Sequence, residues 1–146
     1  MHVRNFKREN MTIMYKEEHG DFYVYLEEHP SDCCCMWRKS DVMNGVYSIE
    51  RLDVLPELRG QGMGRNLLNA AIQHIESEYP KACIEISAKP DGDSDITKED
   101  LAAFYKSANF EIYWENSSRI DLRLYLDESL KPTPLYDSPE YFKITL

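Results

Sequence analysis

The residues best suited to chemistry form one short run, Arg59-Gly60-Gln61-Gly62-Met63-Gly64-Arg65. It follows an apolar, strand-like stretch and opens a helix-like one. Glycines at such a junction let a ligand come close to the main chain, and the first N–H groups of the helix have no partner within it. With the helix dipole, that makes a site for an anion. The spacing excludes two common versions. A dinucleotide fingerprint needs its third glycine where Arg65 stands, and a P-loop needs Lys-Ser/Thr where Arg65-Asn66 stands. What is present is Arg59-x-x-Gly62-x-Gly64. On spacing alone, an ordinary glycine turn is nearly as good a reading as a ligand site.

Other reactive residue types lead nowhere in particular. Cys33-Cys34-Cys35 and the lone Cys83 lack the two-to-four-residue spacing with which thiolates grip one zinc, so buried thiols are expected. Asp91-Gly92-Asp93-Ser94-Asp95 imitates the start of a calcium loop, but Ile96 stands where its glycine belongs and Ala102 where its final Glu belongs. A solvated loop is expected there, with Asp95 or Thr97 capping the next helix. His2, His19, His29 and His74 are scattered without ligand spacing.

The elements that must position the glycine run can be read from hydrophobic periodicity. Residues near 12–17 and 21–28 alternate around Glu18-His19-Gly20-Asp21, which predicts a hairpin. Residues 31–43 admit a strand at Cys33 to Trp37 or a short helix capped by Ser31, and the strand is preferred because Asn44-Gly45 favours a tight turn after it. Val46 to Leu55 reads as a fourth strand. Its core residues Ile49 and Leu52 are three apart, which breaks the period of two and predicts a bulge. Leu67, Leu68, Ala71, Ile72, Ile75 and Tyr79 make one helical stripe, ended by Pro80. Ala82 to Ala88 alternates, with Ile84 and Ile86 opposite Cys83, Glu85 and Ser87. A helix near 98–108 and strands at Phe110 to Trp114 and Arg119 to Leu126 follow.

The chain has 146 residues, 42% hydrophobic, enough for one domain over 1–146 with its own core. The apolar residues of 131–146 suggest a tail that docks on this subunit or another. Lys plus Arg number 17 against 26 Asp plus Glu, a net charge of −9. Such a chain is repelled by nucleic acid and anionic lipid and suits a cationic partner. No apolar run approaches the roughly 20 residues of a membrane span, and the first residues show no signal-peptide core. A soluble, cytoplasmic protein without nucleic-acid, membrane or metal partners is expected.

Two segments together resemble the GCN5-related N-acetyltransferase (GNAT) family. Ile49 to Gly64 looks like that family's strand-loop-helix, whose pattern is Arg/Gln-x-x-Gly-x-Gly/Ala. Leu101 to Phe110 looks like its second signature, a helix ending in Tyr-x-x-x-Gly-Phe, with Asn109 in place of the glycine, the next-best residue for a left-handed helix stop. The likeness spans about residues 45–127. It implies a mixed, mainly antiparallel α/β sheet of about seven strands with two main helices. The helices that the family usually places between its first strands are reduced here to 31–43 at most, so the acceptor site is expected to be open or completed by a partner subunit, as in a homodimer.

The resemblance also implies acetyl-CoA as cosubstrate. The backbone of Arg59, Gly60, Gln61, Gly62, Met63, Gly64 and Arg65 would hold its pyrophosphate, with Arg59, Arg65 and Lys106 as local cations. Its pantetheine arm would pair along Leu52, Asp53 and Val54. Tyr105 matches the family's acid position. Glu50 and Glu85 each match a place where members carry a base, Glu50 ranking first. The family often has an Asn seven residues before the Tyr; here it is Lys98. The expected function is acetyl transfer to a primary amine, a polyamine, aminoglycoside or basic peptide, with Asp91, Asp93, Asp95, Glu99 and Asp100 bordering the acceptor mouth. The rival is a non-catalytic acyl-CoA-binding or interaction module on the same fold.

Overall fold

The computed structural model describes residues 11–92 and 95–131. The docking tail expected over 131–146 therefore lies, apart from Lys131, outside the described residues, as do Asp93 and the first ten residues. Seven strands form one sheet in the order β1-β2-β3-β4-β5-β7-β6. They are β1 (Ile13–Glu18), β2 (Asp21–Leu26), β3 (His29–Lys39), β4 (Val46–Asp53), β5 (Cys83–Ala88), β6 (Glu111–Glu115) and β7 (Ile120–Tyr125). All pairings are antiparallel except β4 with β5. Two helices, α1 (Met63–Glu78) and α2 (Lys98–Lys106), complete the described elements, with short 3-10 turns at Pro56–Leu58 and Glu128–Leu130. The strand reading of 31–43 is the one realised, and β3 runs longer than Cys33 to Trp37 at both ends. No helix stands between β1 and β2, which join through His19 and Gly20, both at positive φ.

The predicted irregularity in β4 is present. Trp37 lies opposite Ile49 and Met36 opposite Arg51, so Glu50 is the extra residue of a bulge. The parallel ladder between β4 and β5 begins at Val46 and Cys83 and stops at Ile49 and Ile86. Beyond that point each strand keeps only its outer neighbour. Arg51, Leu52 and Asp53 stay with β3, and Ser87 and Ala88 stay with β7. The sheet forks here.

Register fixes which side chains share a face, because side chains alternate along each strand. Phe22, Val24, Cys35, Trp37, Ile49, Ile84, Ile86 and Leu122 face one way and form the core with Met63, Leu67, Leu68, Ala71 and Ile75 of α1 and Ala102 and Tyr105 of α2. Burial of this order contributes about 1.5–3 kcal/mol per large aliphatic side chain. Cys33, Cys34, Cys35 and Cys83 are free and buried, as expected. Thr97 caps α2 through a capping box with Asp100. The helix ends at Lys106, two residues earlier than predicted, and Asn109 takes the left-handed stop at φ 75°. The opposite face of the sheet carries Ser48, Glu85, Ser87, Asp121 and Arg123, and the shared core places neither helix on it.

Candidate active site

The fork opens into a cleft of about 1210 Å³ that reaches from Glu50 to the start of α1 and across to α2. One wall is Glu50, Arg51, Leu52, Asp53 and Val54, and the other includes Ser87, Lys89, Phe104 and Tyr105. The glycine turn closes one end. Gly60 and Gly62 have φ of 77° and 81°, a left-handed conformation that a Cβ disfavours, and open space lies where each Cβ would stand. Among the described residues no side chain caps α1, and its first internal bond runs from the Asn66 N–H to the Gly62 carbonyl at 2.9 Å. The N–H groups of Met63, Gly64 and Arg65 are thus the unpaired donors of the first turn. At Gly64 a Cβ would stand in ordinary contact, 3.6 Å from Phe104 and Val54, two side chains of the cleft wall.

Two arginines brace the turn. Arg59 donates from Nε to the Val54 carbonyl at 3.1 Å, tying the turn back to the end of β4. That carbonyl is therefore already engaged, which leaves Leu52 and Asp53 as the open part of the expected strand edge. Arg65 donates from Nη2 to the Ser107 hydroxyl and lies 5.5 Å from the Phe104 ring centre, while its buried Nε has no partner among the described residues. A buried, unpartnered guanidinium N–H in a cleft wall, beside free helix N–H groups, is a donor set that fits a phosphate-bearing ligand.

Of the cofactor residues expected from sequence, Leu52, Asp53, Val54, Arg59, Gly60, Gly62, Met63, Gly64 and Arg65 line the cleft. Gln61 and Lys106 are not among its lining residues. The Gln61 side chain donates instead to the Glu57 carbonyl at 3.1 Å.

The candidate acid and bases are placed differently from one another. Tyr105 is 6% exposed, packed against Phe104 and Phe110, and its ring lines the cleft. Burial first, and the neighbouring Cys35 second, push its phenol from 10.0 up to about 12. It keeps its proton at neutral pH and can only give it. Glu50 lines the cleft at the bulge, where it accepts from the Ser48 hydroxyl. Among the described residues it has no ion pair. Glu85 is absent from the cleft lining and is held by Arg123 Nε at 2.8 Å, with that guanidinium 3.8 Å from the Tyr113 ring centre.

Sequence reasoning passed over Ser87, Lys89 and Phe104 as lining residues. Strand parity is the signal that points to Ser87, since it shares the polar face with Glu85. Asp91 of the acidic loop and Asp100 in the first turn of α2 also line the cleft, and the Asp100 carboxylate serves the cap of α2.

Residues 18–112 match the sequence model of the acetyltransferase (GNAT) domain. No curated protein matches the chain. Among solved structures, a GNAT family acetyltransferase from Elizabethkingia anophelis with acetyl-CoA bound is 16% identical, with a TM-score of 0.59 over 80% of this chain and 99% of that one. Escherichia coli ElaA is 20% identical, with a TM-score of 0.54 over 70% and 67%. An acyl-CoA N-acyltransferase from Pseudomonas aeruginosa is 20% identical, with a TM-score of 0.57 over 70% and 66%. At such identities the likeness is one of fold.

Proposed function

Because the chain belongs to the GNAT acetyltransferase family, whose cosubstrate is acetyl-CoA, we propose that it acetylates a primary amine that is cationic before reaction. Acetyl-CoA supplies a thioester whose carbonyl carbon takes the amine nitrogen as the C–S bond breaks. The protein's own residues do the rest. The amides at the start of α1 and the Arg65 guanidinium bind the diphosphate. Glu50 takes the ammonium proton, directly or through water, so that the nitrogen lone pair is free to attack. Tyr105 gives its proton to the departing thiolate. No covalent enzyme intermediate is needed.

The observation that carries this reading is the fork itself, which brings Glu50 and Tyr105 to one cleft with the glycine turn. The non-catalytic alternative gains only if both candidate bases are turned away, and Glu50 lines the cleft. Charge on the open sheet face supports a cationic acceptor. Its arginines are each matched by a carboxylate: Arg38 with Asp21 at 2.6 Å, Arg119 with Asp121 at 3.0 Å, Arg123 with Glu85 at 2.8 Å, and Arg51 with Asp53. Glu50 is left over.

A panel of polyamines, aminoglycosides, basic peptides and neutral small amines tests this proposal. At low salt the cationic acceptors are expected to have the higher kcat/KM. Their advantage should shrink when salt is raised and when Asp91 is changed to Asn, because exposed charges are screened over about 8 Å at physiological ionic strength. A preference indifferent to both changes contradicts the cationic assignment.

A further inference from the structure

Asp121 is the one buried charged side chain among the described residues, at 8% exposure, and nothing in the reaction above uses it. Burying a carboxylate is costly unless it is paired and hydrogen-bonded. Here Arg119 Nε lies 3.0 Å from Oδ1 and 3.2 Å from Oδ2, and the Ser87 hydroxyl lies 2.6 Å from Oδ1. A carboxylate held by a guanidinium can only accept, so the Ser87 proton points at Asp121. The Ser87 oxygen is then left with lone pairs and no proton to offer. Ser87 lines the cleft and is the first residue of β5 beyond the last β4 pair, as Glu50 is the first on β4. The fork thus presents two acceptors, one on each strand. Both lie on the helix-free face, since Ser48, which holds Glu50, is opposite Glu85, and Ser87 is two residues further along β5.

We propose that Ser87, fixed as a hydrogen-bond acceptor by the Asp121–Arg119 pair, is a specificity residue that takes a second N–H of the acceptor ammonium while Glu50 takes the first. This rests on the amine-acetylation reading and adds the degree of substitution that the site selects. A primary ammonium has N–H donors for both oxygens and one hydrogen to spare. A secondary ammonium fills both sites only by turning its methyl group into the remaining direction, so the site favours primary amines. Ser87 and Asp121 divide the work: Ser87 touches the acceptor, and Asp121 with Arg119 is a positioning pair acting through it.

The test compares kcat/KM for a primary amine with that for its N-methyl analogue. Ser87→Ala is expected to lower the primary-to-secondary ratio, by at most about tenfold, the scale of one hydrogen bond to a charged group, with the KM for acetyl-CoA unchanged. Asp121→Ala removes the acceptor of the Ser87 proton and frees the hydroxyl to donate into the cleft, so it should lower the same ratio. Ser87→Thr, which keeps the hydroxyl, should restore it. A merely structural role would depress both amines together and leave the ratio alone. An unchanged ratio in both Ser87→Ala and Asp121→Ala overturns the inference. The same ratio is read as dissociation constants by calorimetry with CoA present. A protein that binds the amines but acetylates none contradicts the acetylation reading, while the calorimetric ratio still decides the role of Ser87.

Discussion

Replacing Tyr105 with Phe is expected to lower turnover about 10²-fold, the usual loss when a general acid is removed, while acetyl-CoA still binds. The ring packs between Phe104 and Phe110 and loses none of those contacts. Only the hydroxyl goes, and it makes no hydrogen bond to protein among the described residues, so no partner is orphaned. The folded phenol titrates near 12 and the unfolded one near 10.0. Between those values the unfolded chain has lost a proton that the folded chain retains, so the wild type loses stability as pH rises through this window. The loss is about 3 kcal/mol for a shift of this size, and Tyr105→Phe should not share it. Denaturant midpoints of the two proteins at neutral and strongly alkaline pH check the sign. Unaltered turnover with several amines would make Tyr105 a core aromatic and nothing more.

Gly62→Asp should abolish the stabilisation that acetyl-CoA gives the wild type, about 2.7 kcal/mol at 100 times its dissociation constant. Asp is among the few residues that tolerate a left-handed φ, and nothing lies within 4 Å of its Cβ position. The fold should therefore survive while a carboxylate enters the space in front of the α1 amides. Gly62→Asn, neutral and nearly the same shape, should keep part of the thermal shift. The difference between the two variants isolates charge from bulk. A full shift in Gly62→Asp would remove the anion from this turn.

Much of the site's scaffold is written in local sequence. The three-residue gap between Ile49 and Leu52 betrayed the bulge, and Asn109 betrayed the left-handed stop, because both are properties of a few consecutive residues. The bulge mattered more than its signal suggested, since its extra residue is Glu50. What could not be read locally is which side chains meet across strands far apart in sequence. Local sequence ranks Glu50 only slightly ahead of Glu85, and the register separates them by setting Arg123, 38 residues away, opposite Glu85. Ser87 and Asp121 are likewise joined only by the β5–β7 pairing. Lys106 was expected near the cofactor on charge alone, but α2 turns its Tyr105 neighbour into the cleft instead.

If this fork transfers acetyl groups, thiol release and acceptor acetylation must rise together. Wild-type protein and Glu50→Gln are incubated with acetyl-CoA and a polyamine, and free thiol and acceptor mass are followed together. Amine-dependent thiol release is expected, matched one for one by acetylated acceptor and about 10²-fold slower in Glu50→Gln. Thiol release that ignores the amine, or that proceeds undiminished without the Glu50 carboxylate, would contradict it.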